Sequence, residues 1–373
     1  MKKIVWIIIL FAGCIEPYMP TEIKSADAIL VIDGHIDINS KSSIQLTRSQ
    51  NLNENGEVEK VTGANVLLEN EGGLTYLLTE ESNGIYSLPP QTIEPVKHRL
   101  VVKTNDKKEY ASEFVEIKNS PLIDSVSWEL SSELGVDISV STHDTDGSTG
   151  YYWWKYEETW IYSSTYWSSY VYNDDTHVID YRTENIFSCW QSQSSSDIII
   201  ASSSRLSDNI ISKFPLASME QRDPRLRYVY SINVKQFAIT EEAHSYWKEL
   251  KKTTEDLGTL FSPMPSQITG NFTCISNPEE IVLGYFSIGK SNEKRIFIDS
   301  KQLPQPETYD IPFMPCSLTR LELSNVPTFN SKAYSVVDAI SQGTTIIAYT
   351  YSTIPCADCR TAGGTNVKPD FWP

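Results

Sequence analysis

The strongest constraint on the fold is a series of short apolar runs separated by turn residues. Residues 43–48 alternate apolar and polar side chains, and further runs follow at 98–103 and 113–117. An alternation with a period of two is typical of a half-buried strand. Asn55-Gly56 and Gly72-Gly73, which favour tight turns, separate the runs. The sequence therefore predicts a mainly β protein.

Residues 25–120 are predicted to form a prealbumin/Ig-like β-sandwich, because regularly spaced short strands with Gly, Pro and Asn turns are typical of sandwiches. The order of apolar pairs and turns between Val61 and Val102 resembles small prealbumin-like accessory domains. Asn119-Ser120-Pro121 marks the predicted boundary. Residues 121–373 are predicted to form a second, larger strand-rich domain.

A helical insertion is predicted at about 240–258 in the second domain. Thr240 has the chemistry of an N-cap, and Gly258 that of a helix end. Apolar side chains recur at the spacing of one helix face, at Ala243, Tyr246, Trp247 and Leu250. The last segment, 355–373, reads as an irregular tail rich in Cys, Gly and Pro.

The N-terminus has the pattern of a lipoprotein signal. Lys2 and Lys3 precede a short apolar run, which ends at Ala12-Gly13-Cys14. The run is shorter than the about 20 residues that a membrane-spanning helix needs. We predict that residues 1–13 are a signal peptide, that Cys14 carries the lipid, and that residues 14–24 are a tether. The alternative is an ordinary secretory signal with an incidental cysteine.

The net charge of the chain limits the classes of partner that it can bind. It has 31 Lys and Arg against 48 Asp and Glu, a formal net charge of −17. This balance argues against a nucleic-acid partner and against electrostatic docking on anionic lipid. The attachment to a membrane is therefore predicted to depend on the N-terminal lipid.

Residues 151–172 are unusually aromatic. Five rings share one strand parity, which favours the core of a sandwich over a platform for sugars or peptides; they are Tyr152, Trp154, Tyr156, Trp160 and Tyr162. The following region, 163–196, mixes rings with serines, as contact surfaces do. Its predicted partner or ligand surface consists of Tyr166, Trp167, Tyr170, Tyr172 and Trp190.

Five cysteines remain after Cys14, namely Cys189, Cys274, Cys316, Cys356 and Cys359. The last two have CxxC spacing, but they lie in a Pro/Gly-rich tail and no second CxxC or His pair accompanies them. Structural disulfides that pin the tail to the second domain are therefore preferred. The pairing stays open, and the odd number leaves one thiol over.

Motifs for catalysis are missing from the sequence. It contains no G-x-S-x-G, H-E-x-x-H, P-loop or dinucleotide fingerprint. His143-Asp144-Thr145-Asp146-Gly147 is read as a turn, because the spacing of an EF-type calcium loop is not met. We therefore expect no enzyme, metal or cofactor. Paired carboxylates such as Glu157-Glu158 leave a glycan-cleaving protein as an alternative.

Several segments can be considered together, at 29–34, 151–160, 189–190, 243–247, 270–274, 282–287, 294–298 and 358–372, and they cover nearly the whole chain after Cys14. Taken in order, they resemble the domain-of-unknown-function 4249 family of Bacteroidota outer-membrane lipoproteins. Genes of this family often neighbour SusC-like TonB-dependent receptors.

The resemblance implies a lipid-anchored protein of the outer membrane, on the cell surface or in the periplasmic leaflet. It would be a non-catalytic accessory of a SusC-like TonB-dependent receptor in nutrient capture. Two alternatives stay open: a structural subunit of an outer-membrane assembly complex, and a glycan-binding protein. No catalytic or cofactor-binding residues follow from the resemblance.

Overall fold

A computed structural model describes residues 28–50, 56–204, 209–254, 268, 270–309 and 315–373. The predicted signal peptide, Cys14 and the tether lie outside these residues. Within the described part of the chain, no helix is both long and apolar enough to cross a membrane.

The strands of the N-terminal region are β1 Leu30–Asp37, β2 Ser42–Arg48, β3 Asn65–Asn70, β4 Thr75–Ser82, β5 Ile85–Leu88, β6 His98–Lys103, β7 Glu109–Ser112 and β8 Lys118–Asn119. The strands of the middle region are β9 Ile123–Leu130, β10 Val136–His143, β11 Tyr151–Ser163, β12 Tyr170–Asn173, β13 Val178–Tyr181, β14 Ser188–Ser194, β15 Ile199–Ser202, β16 Ile210–Met219 and β17 Val229–Ala238.

Helix α1 Glu241–Thr254 follows. The later elements are β18 Phe272–Cys274, β19 Val282–Gly284, β20 Ser287–Lys290, β21 Asn292–Asp299, β22 Thr319–Glu322, β23 Tyr334–Gln342, β24 Thr345–Thr353 and the short helix α2 Ile354–Ala357. In the described part of the chain, 3-10 helices lie at Pro224–Leu226, Ser300–Gln302, Leu323–Thr328 and Cys359–Ala362.

The first sandwich is built by strands β1 to β8 together with β18, β19 and β20, in the order β18-β7-β6-β3-β4-β5-β2-β1-β20-β8 with β19 also on β1. Its core side chains include the fully buried Leu30, Ile44 and Leu68. Strand β19 lies parallel to β1 at very close range. A side chain at Gly284, whose φ is +137°, would meet the carbonyl oxygen of Ile32 at 2.1 Å, so only glycine permits this pairing.

The second sandwich packs the sheet β16-β10-β9 on the sheet β14-β11-β17-β21, with β15 also on β11. Tyr152 and Trp154 of β11 are fully buried between the two sheets, and Trp160 is buried with them. The alternation along 152–162 therefore marks a core face, as predicted. The expectation of a mainly β fold with sandwiches and a helical insertion is confirmed.

A third, smaller sheet has the order β22-β24-β23 and packs on the hairpin β12-β13. Helix α1 lies at the junction of the two sandwiches, where Ala243 packs with Trp153, Phe237 and Tyr285. The helix begins directly after Thr240, whose Oγ1 accepts a hydrogen bond from the backbone N of Ala243 at 3.2 Å. The predicted helix end at Gly258 lies outside the described residues.

Candidate functional site

The exposed part of the predicted partner surface is Trp167. Its side chain is 56% exposed and its ring packs against Phe187, with the centroids 5.3 Å apart. Tyr166 is half-buried, and its hydroxyl donates to the carbonyl oxygen of Cys316 at 3.0 Å. Tyr181, which the sequence did not single out, is 73% exposed and stacks on Tyr170 at 4.7 Å.

Tyr170 and Tyr172 do not belong to this surface, which corrects the prediction for both residues. They are 7% and 8% exposed and pack against Val336, Leu321 and Tyr349 of the third sheet. The short alternation Tyr170-Val171-Tyr172 is therefore that of a buried strand face. The sequence could not show it, because the sheet that covers these rings lies more than a hundred residues away along the chain.

Trp190 is half-buried because the C-terminal tail packs on it, which corrects the prediction that it belongs to an open partner surface. The backbone of Trp190 exchanges two hydrogen bonds with Thr365, at 2.8 and 2.9 Å. Its ring meets Trp372 edge-on at 6.4 Å, and Trp372 also meets Phe297 at 5.5 Å. The tail thus packs on this face of β14.

Two disulfides hold the region together. Cys189 is bonded to Cys359, and Cys316 is bonded to Cys356. The first bond ties β14 to the tail, in agreement with the expectation that disulfides pin the tail to the second domain. Cys274 is the thiol left over, and it is buried in the core of the first sandwich.

The neighbouring carboxylates Glu157 and Glu158 point to opposite faces of β11 and do not form an acid/base pair. Glu158 is buried, where it accepts hydrogen bonds from Arg225 Nη1 at 2.8 Å and from the hydroxyl of Tyr230 at 2.5 Å. Glu157 is exposed and lies 3.8 Å from Arg295. Burial, followed by the charge of Glu158, raises the pKa of Tyr230 far above its usual range. This arrangement is a locked structural ion pair.

A cleft of about 540 Å³ lies where α1 packs beside the first sandwich. Its walls come from residues 31–33, 283–285 and 196–198, and from α1, which contributes Tyr246, Trp247, Leu250 and Thr254. Three of the segments singled out in the sequence, at 29–34, 243–247 and 282–287, meet here. Sequence reasoning assigned the α1 residues only to a buried face and so missed the cleft.

The polar groups of the cleft are few. Asp33 and Asp197 line it and are exposed at its rim, and neither has an ion pair or side-chain hydrogen bond with another described residue. Burial, then the charge of Asp33, raises the pKa of Tyr246 to about 12, so this phenol stays protonated. Nε1 of Trp247 is buried and has no hydrogen-bond partner among the described residues.

His35 lies behind the cleft, between the two sandwiches. Its ring lies 4.6 Å from Phe237 and 5.9 Å from Trp153, and its Nδ1 is 2.7 Å from Oγ of Ser287. Burial lowers the pKa of His35 to about 3, so the imidazole is neutral at pH 7. In the described ranges, no three His, Cys, Asp or Glu side chains come together as a metal site.

Comparison with known proteins identifies a sequence family. A family model described as Domain of unknown function (DUF4249) matches residues 15–295. No curated protein matches the chain.

Two solved structures are similar to parts of this chain. One comprises the FN1-FN3 domains of chicken CNTN1, with 15% identity over 57% of this chain and 62% of that one, and a TM-score of 0.19. The chain therefore spans less than two thirds of that structure. The other is a cytokine receptor complex, with 12% identity over 56% of this chain and 84% of that one, and a TM-score of 0.17. Likeness at this level says nothing about function.

Proposed function

The chain belongs to the DUF4249 family, and from that premise we propose that it is a lipid-anchored outer-membrane protein. We propose further that it is a non-catalytic partner of a SusC-like TonB-dependent receptor in nutrient capture. The observation that carries the proposal is the exposure of two aromatic rings, Trp167 and Tyr181, on a firmly held segment. Large exposed rings on a rigid support are typical of protein contact surfaces.

The segment that presents these rings is fixed from several sides. Nε of Arg182 donates to Oγ of Ser168 at 3.0 Å, and Ser168 donates in turn to the carbonyl oxygen of Val336 at 2.6 Å. The backbone N of Arg182 also donates to the carbonyl oxygen of Ser169 at 2.9 Å, so the backbone segments that carry Trp167 and Tyr181 are held against each other. A surface that is rigid before binding loses little conformational entropy on association.

The anchor supports the same proposal. Cys14 directly follows the predicted signal peptide, and the predicted tether, residues 14–24, links it to the folded body. Two or more acyl chains on one cysteine give stable membrane attachment, because each buried CH₂ contributes about 0.8 kcal/mol. A tether of this length leaves the folded body close to the membrane surface, within reach of a receptor's extracellular or periplasmic face.

The test is a mild-detergent pull-down of the tagged, lipidated protein from native outer membrane, followed by mass spectrometry. We expect a stoichiometric TonB-dependent receptor with the wild type. The double variant Trp167→Ala/Tyr181→Ala should lose the receptor, because the contact area is removed. Thermal unfolding checks that the fold survives the loss of the Tyr181 ring, which stacks on Tyr170. The matched control is Leu122→Ala, which removes another exposed apolar side chain elsewhere on the surface.

Each other result decides against the proposal. Recovery of the protein alone would overturn the receptor partnership and favour glycan binding. Recovery with outer-membrane assembly machinery would favour the structural-subunit alternative. Receptor retained by the double variant would overturn the assigned surface. The anchor is tested separately by metabolic labelling with palmitate, which Cys14→Ser should abolish.

A further inference from the structure

The cleft beside α1 has an aromatic wall. The rings of Tyr246 and Trp247 meet edge-on with their centroids 5.3 Å apart, and Tyr246 lies 5.2 Å from Tyr285. Trp247 is backed by Trp153, which stacks on it at 5.1 Å. Aromatic faces attract organic cations because the ring quadrupole places negative potential above the ring. Three adjacent rings therefore suit a ligand with a positive charge and an apolar body.

The charged side chains that line the cleft are negative, which suits a positively charged ligand. Asp33 and Asp197 are the charged residues among those described that line it, and no described Lys or Arg lines it. The nearby cation Lys155 lies over the ring of Trp153, with Nζ 4.4 Å from the centroid, and Lys251 donates to the carbonyl oxygen of Ile198 at 2.9 Å. Among the described residues, no salt bridge joins Asp33 or Asp197 to either lysine, although Lys155 lies close enough to Asp33 to interact with its charge.

We propose that this cleft binds a small organic cation with an apolar body, of the aryl- or alkylammonium class. The apolar body packs against Tyr246, Trp247, Leu250, Leu283 and Tyr285, and the ammonium group faces the carboxylates of Asp33 and Asp197. A volume of about 540 Å³ is in the range of small-molecule sites. The net charge of −17 favours the approach of cations over anions. The site requires only this chain and does not depend on a receptor.

Other ligand classes fit the cleft less well. A sugar would need many hydrogen-bonding groups, whereas the walls are mainly aliphatic and aromatic. An anion would meet two carboxylates. A neutral apolar molecule would fill the walls but leave both carboxylates without a partner.

The test uses titration calorimetry of the full-length, lipidated protein with phenethylammonium, and with uncharged phenethyl alcohol as the comparison. We expect saturable one-to-one binding of the ammonium ion, roughly tenfold tighter than that of the alcohol. Asp33→Asn/Asp197→Asn should reduce the affinity for the ammonium ion to that for the alcohol. Leu250→Trp should abolish both by filling the cleft.

The matched control is Asp175→Asn, an exposed carboxylate in the turn between β12 and β13, which should bind the ammonium ion as the wild type does. Thermal unfolding of each variant shows that it is folded. The proposal is overturned if the ammonium ion does not bind, if the alcohol binds as tightly, or if the double Asn variant keeps the preference for the cation. None of these results bears on the receptor pull-down.

Discussion

Nζ of Lys235 lies 2.9 Å from Oδ2 of Asp37, and this ion pair joins the second sandwich to the first. Asp37 is buried and also accepts hydrogen bonds from Oγ of Ser40 and Oγ of Ser291, each at 2.6 Å. Three side chains, Lys235, Ser40 and Ser291, therefore meet at one carboxylate. This carboxylate is therefore a buried, charged contact between the two sandwiches.

Replacing Lys235 tests this junction. In Lys235→Met the buried carboxylate loses its cation, so the free energy of unfolding should fall by about 2–4 kcal/mol. Chemical denaturation gives the value. Lys213→Met, which removes the cation of the exposed pair with Glu129, is the control and should change the stability little. An equal effect of both variants would contradict a special role for Asp37.

The same carboxylate predicts a pH dependence. Burial alone would raise the pKa of Asp37, but the hydrogen bonds from Ser291, Ser40 and Lys235 hold it well below its usual range. The native state therefore binds fewer protons than the unfolded state below about pH 4, the usual range for Asp. The contribution is present above that pH and is lost as the pH falls toward the lower native pKa. Stability measured from pH 5 to pH 2 should decline less steeply in Asp37→Asn than in the wild type.

Substitutions of the adjacent glutamates of β11 should change the free energy of unfolding by different amounts. Glu158→Gln removes the charge that pairs with Arg225 inside the second sandwich, and we expect a loss of about 1–3 kcal/mol, since Asp223 still pairs with Arg225. Glu157→Gln alters an exposed group and should stay within about 0.5 kcal/mol of the wild type. The comparison is made by urea unfolding. Equal losses of stability would contradict a structural role for the buried Glu158–Arg225 pair.

The disulfide pairing predicts which cysteines an alkylating reagent can label. In the unfolded, unreduced protein, iodoacetamide should label Cys274 and leave Cys189, Cys316, Cys356 and Cys359 unlabelled. In the native protein Cys274 should also be protected, because it is buried in the first sandwich. Peptide mass spectrometry identifies the labelled cysteines in both experiments. Labelling of any of the other four in the unreduced protein would contradict the pairing.

The C-terminal ring Trp372 should stabilise the fold although it is the penultimate residue. It is buried between Trp190 and Phe297, so Trp372→Ala should cost about 2–4 kcal/mol and expose Trp190 to solvent. Val367→Ala removes an exposed side chain of the same tail and is the control. Unfolding followed by tryptophan fluorescence measures both. A red shift of the emission is expected only for Trp372→Ala.

Local patterns predicted the elements whose surroundings lie close in sequence. The alternation along 152–162 marked a buried strand face, since a period of two fixes which side chains share a side. The helix after Thr240 could be predicted for the same reason, because a cap and a spacing of three and four residues are local features. Neither pattern depends on which partner covers the face.

Local patterns could not separate exposed rings from buried rings in the predicted partner surface. Trp167 is exposed and Tyr170 is buried, although both lie in one stretch of rings and serines. The difference arises from the third sheet, whose strands follow more than a hundred residues later. In the same way, the tail packs on Trp190 and leaves it half-buried.

The sequence by itself determined the strand periodicity, the helix, the mainly β class and the presence of one unpaired cysteine. Only the tertiary structure decided that β18, β19 and β20 join the first sandwich, that Cys189 pairs with Cys359, and that a cleft forms beside α1. The physical reason is the range of the interactions. Dihedral preferences and side-chain alternation act between neighbours, whereas strand pairing, disulfides and clefts depend on surfaces brought together from distant parts of the chain.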